Sequence, residues 1–330
     1  MHVISRDSNY VHCGGKPVAY IKVNLKKHVT LSKNDQIYTC SNNAHKILVL
    51  DMKGNIIRTI KNSKDNQDNF IAIQNIWAIN DELVVSDGRA EDETSHLKIF
   101  TLDGVFQRSF TVTYKDAIDK DGIDKDAIDK EIKESEDNGN MRFRANIDFM
   151  CSITFVYSTV NDYYFIGGFC QQLQKEVYVI YTKNGEFVKE FQPKGGDTVD
   201  SSYLCDKDIV FVQNDNIYIR DQLGNLTIFD SDGNLKRCIS RCCDVLSDIS
   251  YHFLKSFVLP HSQEYVELLI DEYDDVFKLN FFNSSCLKSE EIREREILRF
   301  FIISVFVDYV AIMSTGRFLL CVKRGFIIYE

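Results

Sequence analysis

Short runs of alternating apolar and polar residues, each ending in a glycine turn, recur along this chain. Asp230-Ser-Asp-Gly233-Asn-Leu-Lys-Arg-Cys-Ile239 has near copies in Asp51-Met-Lys-Gly54-Asn-Ile-Ile-Arg-Thr-Ile60, Thr101-Leu-Asp-Gly104-Val-Phe-Gln-Arg-Ser-Phe110 and Thr182-Lys-Asn-Gly185-Glu-Phe-Val-Lys-Glu-Phe191. Each copy follows an apolar run: Ile47 to Leu50, Leu97 to Phe100, Val177 to Tyr181 and Leu226 to Phe229. A strand that ends in a glycine tolerant of positive φ and leaves in a second strand is a β-hairpin. Thr101 and Thr182 replace the first Asp without disturbing the pattern, which marks that position as part of a turn rather than a ligand.

Between these hairpins the pattern supplies further strands. Val18 to Leu25 alternates and reads as a strand with no sequence neighbour to pair with. Ile37-Tyr38 opens a first repeat that closes at Ile60, and Ile76 to Asp87 gives two strands joined at Asn80-Asp81. Ile153 to Tyr157 with Tyr163 to Ile166, and Ile209 to Val212 with Asn216 to Arg220, precede the third and fourth hairpins. A fifth phrase has strands at Tyr265 to Ile270 and Val276 to Phe281, with Asn283 where the turn is due and the glycine missing. A sixth runs from Tyr309 through Arg317 to Val322 and ends in Phe326 to Tyr329.

The turn glycines are spaced 50, 81 and 48 residues apart. A low-complexity charged insert over about residues 113–142, built on Asp116-Ala-Ile-Asp-Lys120 and its two copies, accounts for the long interval. Four strands per phrase at this period predict an all-β chain: a six-bladed β-propeller of four-stranded antiparallel blades over residues 1–330. The unpaired Val18 to Leu25 is expected to complete the last blade and so join the two ends of the chain. A two-sheet sandwich, the alternative, lacks such a period.

The phrase of apolar strand, Asp-x-x-Gly and a second strand ending in Ile or Phe resembles the repeat of NHL and TolB-like six-bladed propellers. The block Val18 to Ile60 is similar to bacterial six-bladed propeller proteins of unassigned function. Trp77 is the only tryptophan, so the Trp-Asp mark of WD repeats is missing, and the double glycines recur at no fixed position. This resemblance implies the fold and leaves the activity open.

Composition narrows the function class. A net charge of −10, from 49 acidic and 39 basic side chains, opposes nucleic acid as a general partner. Lys22, Lys26, Lys27 and His28 form the one local basic cluster, read as a solvated edge. No apolar run reaches the ~20 residues that span a bilayer. The N-terminus lacks a signal-like apolar segment, and the ten cysteines scatter through strand-like runs. A soluble, intracellular protein is expected.

Candidate chemistry is thin. Around Gly122 an EF-type loop would place Ala117 and Ile128 where carboxylates are required. Cys238, Cys242 and Cys243, with Cys205, His252 or His261, match no common zinc spacing, and Cys238 is expected to point into its blade. Propellers of the gluconolactonase type hold a cation in the central channel. By that resemblance Asn80, Asp81, Asn161, Asp162, Asp206 and Asp308 are the residues to converge there, although all are also good turn formers. No Gly-x-Ser-x-Gly, His-Glu-x-x-His or phosphate loop is present. The expectation is therefore a non-catalytic module that binds or scaffolds a protein partner, without cofactor. Its long loops, Gly88 to Ser95 and Lys115 to Asn140, are the candidate contacts. A metal-dependent hydrolase or lyase at the channel mouth is the rival.

Overall fold

The computed structural model describes residues 17–22, 28–40, 45–61, 69–88, 96–114, 148–158, 162–170, 175–191, 210–213, 216–220, 225–242, 251–258, 265–271, 276–283, 285, 288, 291–293, 297–303, 307–315, 317–322 and 325–329. These contain strands and turns and no α-helix.

After β1 (Pro17–Lys22), the first sheet is β2 (His28–Leu31), β3 (Ile37–Cys40), β4 (Lys46–Leu50) and β5 (Ile56–Lys61). The second is β6 (Ile73–Ile79), β7 (Glu82–Asp87), β8 (His96–Thr101) and β9 (Phe106–Thr111). In the third, a short β10 (Thr113–Tyr114) precedes β11 (Asp148–Ser158), β12 (Tyr163–Cys170), β13 (Lys175–Thr182) and β14 (Phe187–Glu190). The fourth is β15 (Val210–Gln213), β16 (Asn216–Arg220), β17 (Leu226–Phe229) and β18 (Leu235–Cys242). Next come β19 (Tyr251–Val258), β20 (Tyr265–Asp271), β21 (Val276–Phe282), β22 (Glu291–Arg293) and β23 (Ile297–Ile303). The fifth sheet takes all of these except β22, which lies parallel to β18 on the edge of the fourth. The sixth is β24 (Val307–Ile312), β25 (Phe318–Val322), β26 (Gly325–Tyr329) and, antiparallel to β26, β1. Among the described residues there are thus six sheets, not the two of a sandwich.

Within each meander, alternating strands carry opposite faces of side chains into two neighbouring sheets. Tyr38, Ile47 and Val49 of the first sheet pack with Ile76, Leu83 and Phe100 of the second. Val84 and Ile99 of the second pack with Tyr164, Val179 and Tyr181 of the third. Phe165 and Ile180 then meet Ile217 and Phe229, and Tyr218 and Ile228 meet Tyr265 and Phe282. Phe281 stacks edge-on against Phe318, ring centroids 5.1 Å apart, and so links the fifth sheet to the sixth. Val29, Ile37 and Leu50 of the first sheet share a core with Met313, Leu319, Phe326 and Ile328 of the sixth. First strands lie beside first strands: β24 by β2, β2 by β6, β6 by β11 and β11 by β15.

The sequence pattern holds for most strands and departs at four places. β1 starts at Pro17, one residue before the expected strand, and residues 23–25 of that strand lie outside the described residues. β2 has no counterpart in the expected first repeat, because only Val29 and Leu31 are apolar. Its Thr30 is buried instead, with Oγ1 accepting the Ala78 N–H at 3.0 Å from the second sheet. In the fifth sheet Asn283 begins the turn, its Oδ1 accepting the Ser285 N–H at 3.0 Å. Cys286 then stands where the other repeats have the glycine, and the fourth strand re-enters only at Ile297. Finally, Thr113 and Tyr114 are not part of the insert. They pair with Phe149 and Asp148, which brings the two ends of the inserted segment side by side.

Candidate functional site

Because the strands of each sheet alternate in direction, the turns between first and second strands and between third and fourth strands share one end. The connections between second and third strands, and from one sheet to the next, leave from the opposite end. The turn end is built from one repeated device. Gly54, Gly104, Gly185 and Gly233 have φ between 79° and 86°. Each glycine N–H donates to the carbonyl three residues earlier, and that residue's N–H donates to the carbonyl four residues on, as in Gly54→Asp51 (2.9 Å) and Asp51→Asn55 (3.0 Å). The register slips by one residue at every copy, between Val49 and Leu50, Ile99 and Phe100, Ile180 and Tyr181, and Ile228 and Phe229, the bulge expected of a glycine in this conformation.

The geometry explains the exchange of Asp for Thr. Asp51 Oδ1 accepts the N–H groups of Lys53 (2.8 Å) and Asn55 (2.9 Å), and Asp230 does the same for Asp232 and Asn234. Thr101 and Thr182 reach the equivalent fourth N–H through Oγ1, each at 3.1 Å. These carboxylates are occupied by their own turns. The amide of Asn55 or Asn234 contributes most to holding each aspartate below its ordinary value of 3.8. A lowered value adds stability that is present above the ordinary pKa and is lost as pH falls through the folded one. The double variant D51N/D230N is therefore expected to show a shallower loss of stability below about pH 4. Chemical denaturation from pH 2 to 6 reads that slope, and an unchanged slope contradicts the assignment.

A second periodic device joins neighbouring sheets. Four residues after each turn glycine stands a cation: Arg58, Arg108, Lys189 and Arg237, opposite Val49, Ile99, Ile180 and Ile228. Arg58 donates to the Leu102 carbonyl at 3.1 Å and pairs with Asp103 at 2.9 Å, both in the next sheet's turn. Arg108 donates to the Lys183 carbonyl, and Lys189 pairs with Asp232. Arg108 also pairs with Glu82 at 2.8 Å and donates to the Tyr164 hydroxyl at 3.0 Å. Burial pushes the Tyr164 phenol well above its ordinary range, and its hydrogen bond to Glu82 adds to that. These latches were visible in the sequence as Arg or Lys at a constant distance from glycine, a signal easily read as solvated charge.

The proposed channel residues divide. Asn80 and Asp162 have φ of 54° and 62°, the conformation that Asn and Asp tolerate in tight turns. Asn80 donates to Ser158 Oγ at 3.3 Å, Asp81 pairs with Lys33 at 2.5 Å and Asp162 with Lys183 at 2.8 Å. The structure thus places Asn80 and Asp81 together in the turn between β6 and β7 and Asp162 in the turn between β11 and β12, each with a partner of its own. Asn161, Asp206 and the side chain of Asp308 lie outside the described residues, as do Cys205, Cys243, His261, Lys26, Lys27 and the side chains of Cys242, His252 and Lys22. No three His, Cys, Asp or Glu side chains among the described residues are grouped to hold a metal.

Cys238 corrects its expectation. It is exposed, while Ile239 beside it is fully buried, because alternation in β18 turns Ile239 and not Cys238 toward the core. Cys40 and Cys321 are buried thiols outside any disulfide, and burial pushes the Cys40 thiol up to about 12. Maleimide at neutral pH is expected to modify Cys238 in the folded protein and to reach Cys40 and Cys321 only after denaturation. Peptide mapping checks this, and early labelling of Cys40 would contradict its burial.

No family model matches the chain, and no curated protein matches it. Solved structures do. The whole chain superposes on 98% of a chain in the crystal structure of the mitotic checkpoint complex, with a TM-score of 0.51 at 9% identity. U3-55K gives a TM-score of 0.49 at 8% identity over 92% of this chain and 80% of that one. A protein of unknown function from Bacteroides caccae gives 0.46 at 10% over 88% and 83%. The first likeness, together with sheets of four antiparallel strands, fits a β-propeller. No helix among the described residues is long and apolar enough to cross a membrane.

Proposed function

We propose that residues 1–330 form one closed six-bladed propeller that acts as a non-catalytic binding or scaffolding module for protein partners, alone or within a larger assembly. The core shared by the sixth and first sheets carries this reading. With it, every sheet has a packing partner on each side. The pairing of β1 with β26 then acts as the clasp that joins the chain's two ends. The Asp-x-x-Gly turn at the outer hairpin supports a repeat of the NHL-like kind.

Recognition is assigned to the end opposite the tight turns. There the connections after Asp87 and Tyr114 leave the sheets, so both long loops start from one side of a rigid frame, the arrangement that suits partner binding. Tyr114 and Asp148 are paired, so residues 116–146 are expected to be replaceable by a short Gly-Ser linker with no change in melting temperature. The test is crosslinking mass spectrometry on tagged full-length and excised protein recovered from native cells. A stoichiometric partner crosslinked within 88–95 or 115–147, and lost on excision, is the expected result. Retention of no partner, or crosslinks confined to the turn end, overturns the assignment.

A further inference from the structure

The face of the fifth sheet that packs on the fourth carries two polar side chains in the middle of its core. Glu267 of β20 stands directly opposite Asn280 of β21, two residues along from Tyr265 opposite Phe282. Tyr265 and Phe282 share a core with Tyr218, Leu226, Ile228 and Ile239 of the fourth sheet, and alternation turns Glu267 and Asn280 to that same side. The equivalent rung is apolar in the third sheet, Ile166 opposite Val179, and in the sixth, Leu320 opposite Ile327. Glu267 and Asn280 are both fully buried. Tyr265, buried as completely, donates its hydroxyl to Glu267 Oε1 at 3.2 Å. Neither Oδ1 nor Nδ2 of Asn280 has a hydrogen-bond partner. A buried amide in that state marks a place where an ion or a water completes the bonding.

We propose that Glu267 and Asn280 hold a hard metal cation between the fourth and fifth sheets. Directly opposite residues on one face have Cβ atoms roughly 5 Å apart, close enough for a carboxylate and an amide oxygen to share one ion. The donors are the Glu267 carboxylate and Asn280 Oδ1, with the Tyr265 phenol oxygen beside them. All are oxygens, the set that suits calcium and other hard cations rather than zinc. The carboxylate supplies the negative charge, and a metal beside it offsets the cost of burying that charge in an apolar core. Both ligands sit on second and third strands, so the ion belongs to the frame. It is separate from the first-strand turns at the channel mouth and from the loops assigned to partner binding.

The test is thermal unfolding of the full chain, stripped with chelator and then titrated with CaCl2, NaCl or KCl against choline chloride at constant ionic strength. One of the three metal salts should raise the melting temperature with single-site saturation, and which one does so identifies the ion. E267Q should weaken that affinity about ten-fold or more, since it removes the charged ligand. N280L should abolish the response yet melt above the stripped parent, because it replaces an orphaned amide by an apolar side chain. A parent that no metal salt stabilises overturns the site; that is the outcome if Lys278, opposite Leu269 on the same face, supplies the counter-charge instead. A response that survives unchanged in N280L or E267Q overturns it too. Neither result touches the partner-binding reading, which loop crosslinking tests separately.

Discussion

Asp87→Asn is expected to destabilise the protein by about 3–5 kcal/mol, the cost of leaving a buried charge without its partner. Asp87 is fully buried and Lys98 is 6% exposed, and they pair at 2.7 Å between β7 and β8. Asparagine keeps an oxygen for the N–H groups of Ile71 and Ala72, which Asp87 Oδ1 accepts at 2.9 and 2.8 Å. What it removes is the charge facing Lys98, whose ammonium also donates to the Asn69 carbonyl and lies 5.8 Å from the centre of the Phe70 ring. The pair therefore ties the entry to β6 beneath the second sheet. K98M should be costly too, and D87N/K98M should recover part of the loss because no lone charge then remains. Urea unfolding reads all three. A D87N cost below about 1 kcal/mol, the range of exposed pairs, would contradict the buried linkage.

Gly185→Ala is expected to cost about 2–4 kcal/mol, by two separate routes. A side chain at φ 86° bears the left-handed penalty of about 1–2 kcal/mol. The new Cβ would also stand 2.6 Å from Cγ and Cδ1 of Phe110, a ring stacked on Tyr164 and Tyr181 that has little room to move. Overpacking of this kind costs about 1–3 kcal/mol. At Gly104 the atoms in the way belong to the flexible Ile60 side chain, at 2.6 and 3.0 Å, so G104A should cost less. Both contacts show why the first two phrases end in Ile60 and Phe110: each packs beneath the glycine turn of the following sheet. Equal costs at the two glycines would mean that backbone strain alone matters.

Much of this architecture was legible because it is local. A turn that needs positive φ selects glycine, and the strands around it must alternate, so Gly54, Gly104, Gly185 and Gly233 announce their hairpins. Asn80-Asp81 marked a hairpin for the same reason. What depended on distant neighbours was hidden. Thr30 is buried because a backbone N–H of the second sheet meets it, and nothing in His28 to Leu31 reports that. Cys238 faces outward because the bulge after Gly233 sets the phase of β18. Asp87 and Lys98 look like ordinary surface charges until folding places them together.

The proposed closure of the ring is tested most directly by native-state hydrogen exchange on the full chain and on a chain lacking residues 1–22. With the ring closed through β1, its removal should lower protection in β24 to β26. The loss should spread to β2 to β5, which share a core with the sixth sheet, and to β20 and β21 on the other side. Loss confined to β26, with the first and fifth sheets unchanged, would show that the sixth sheet closes nothing.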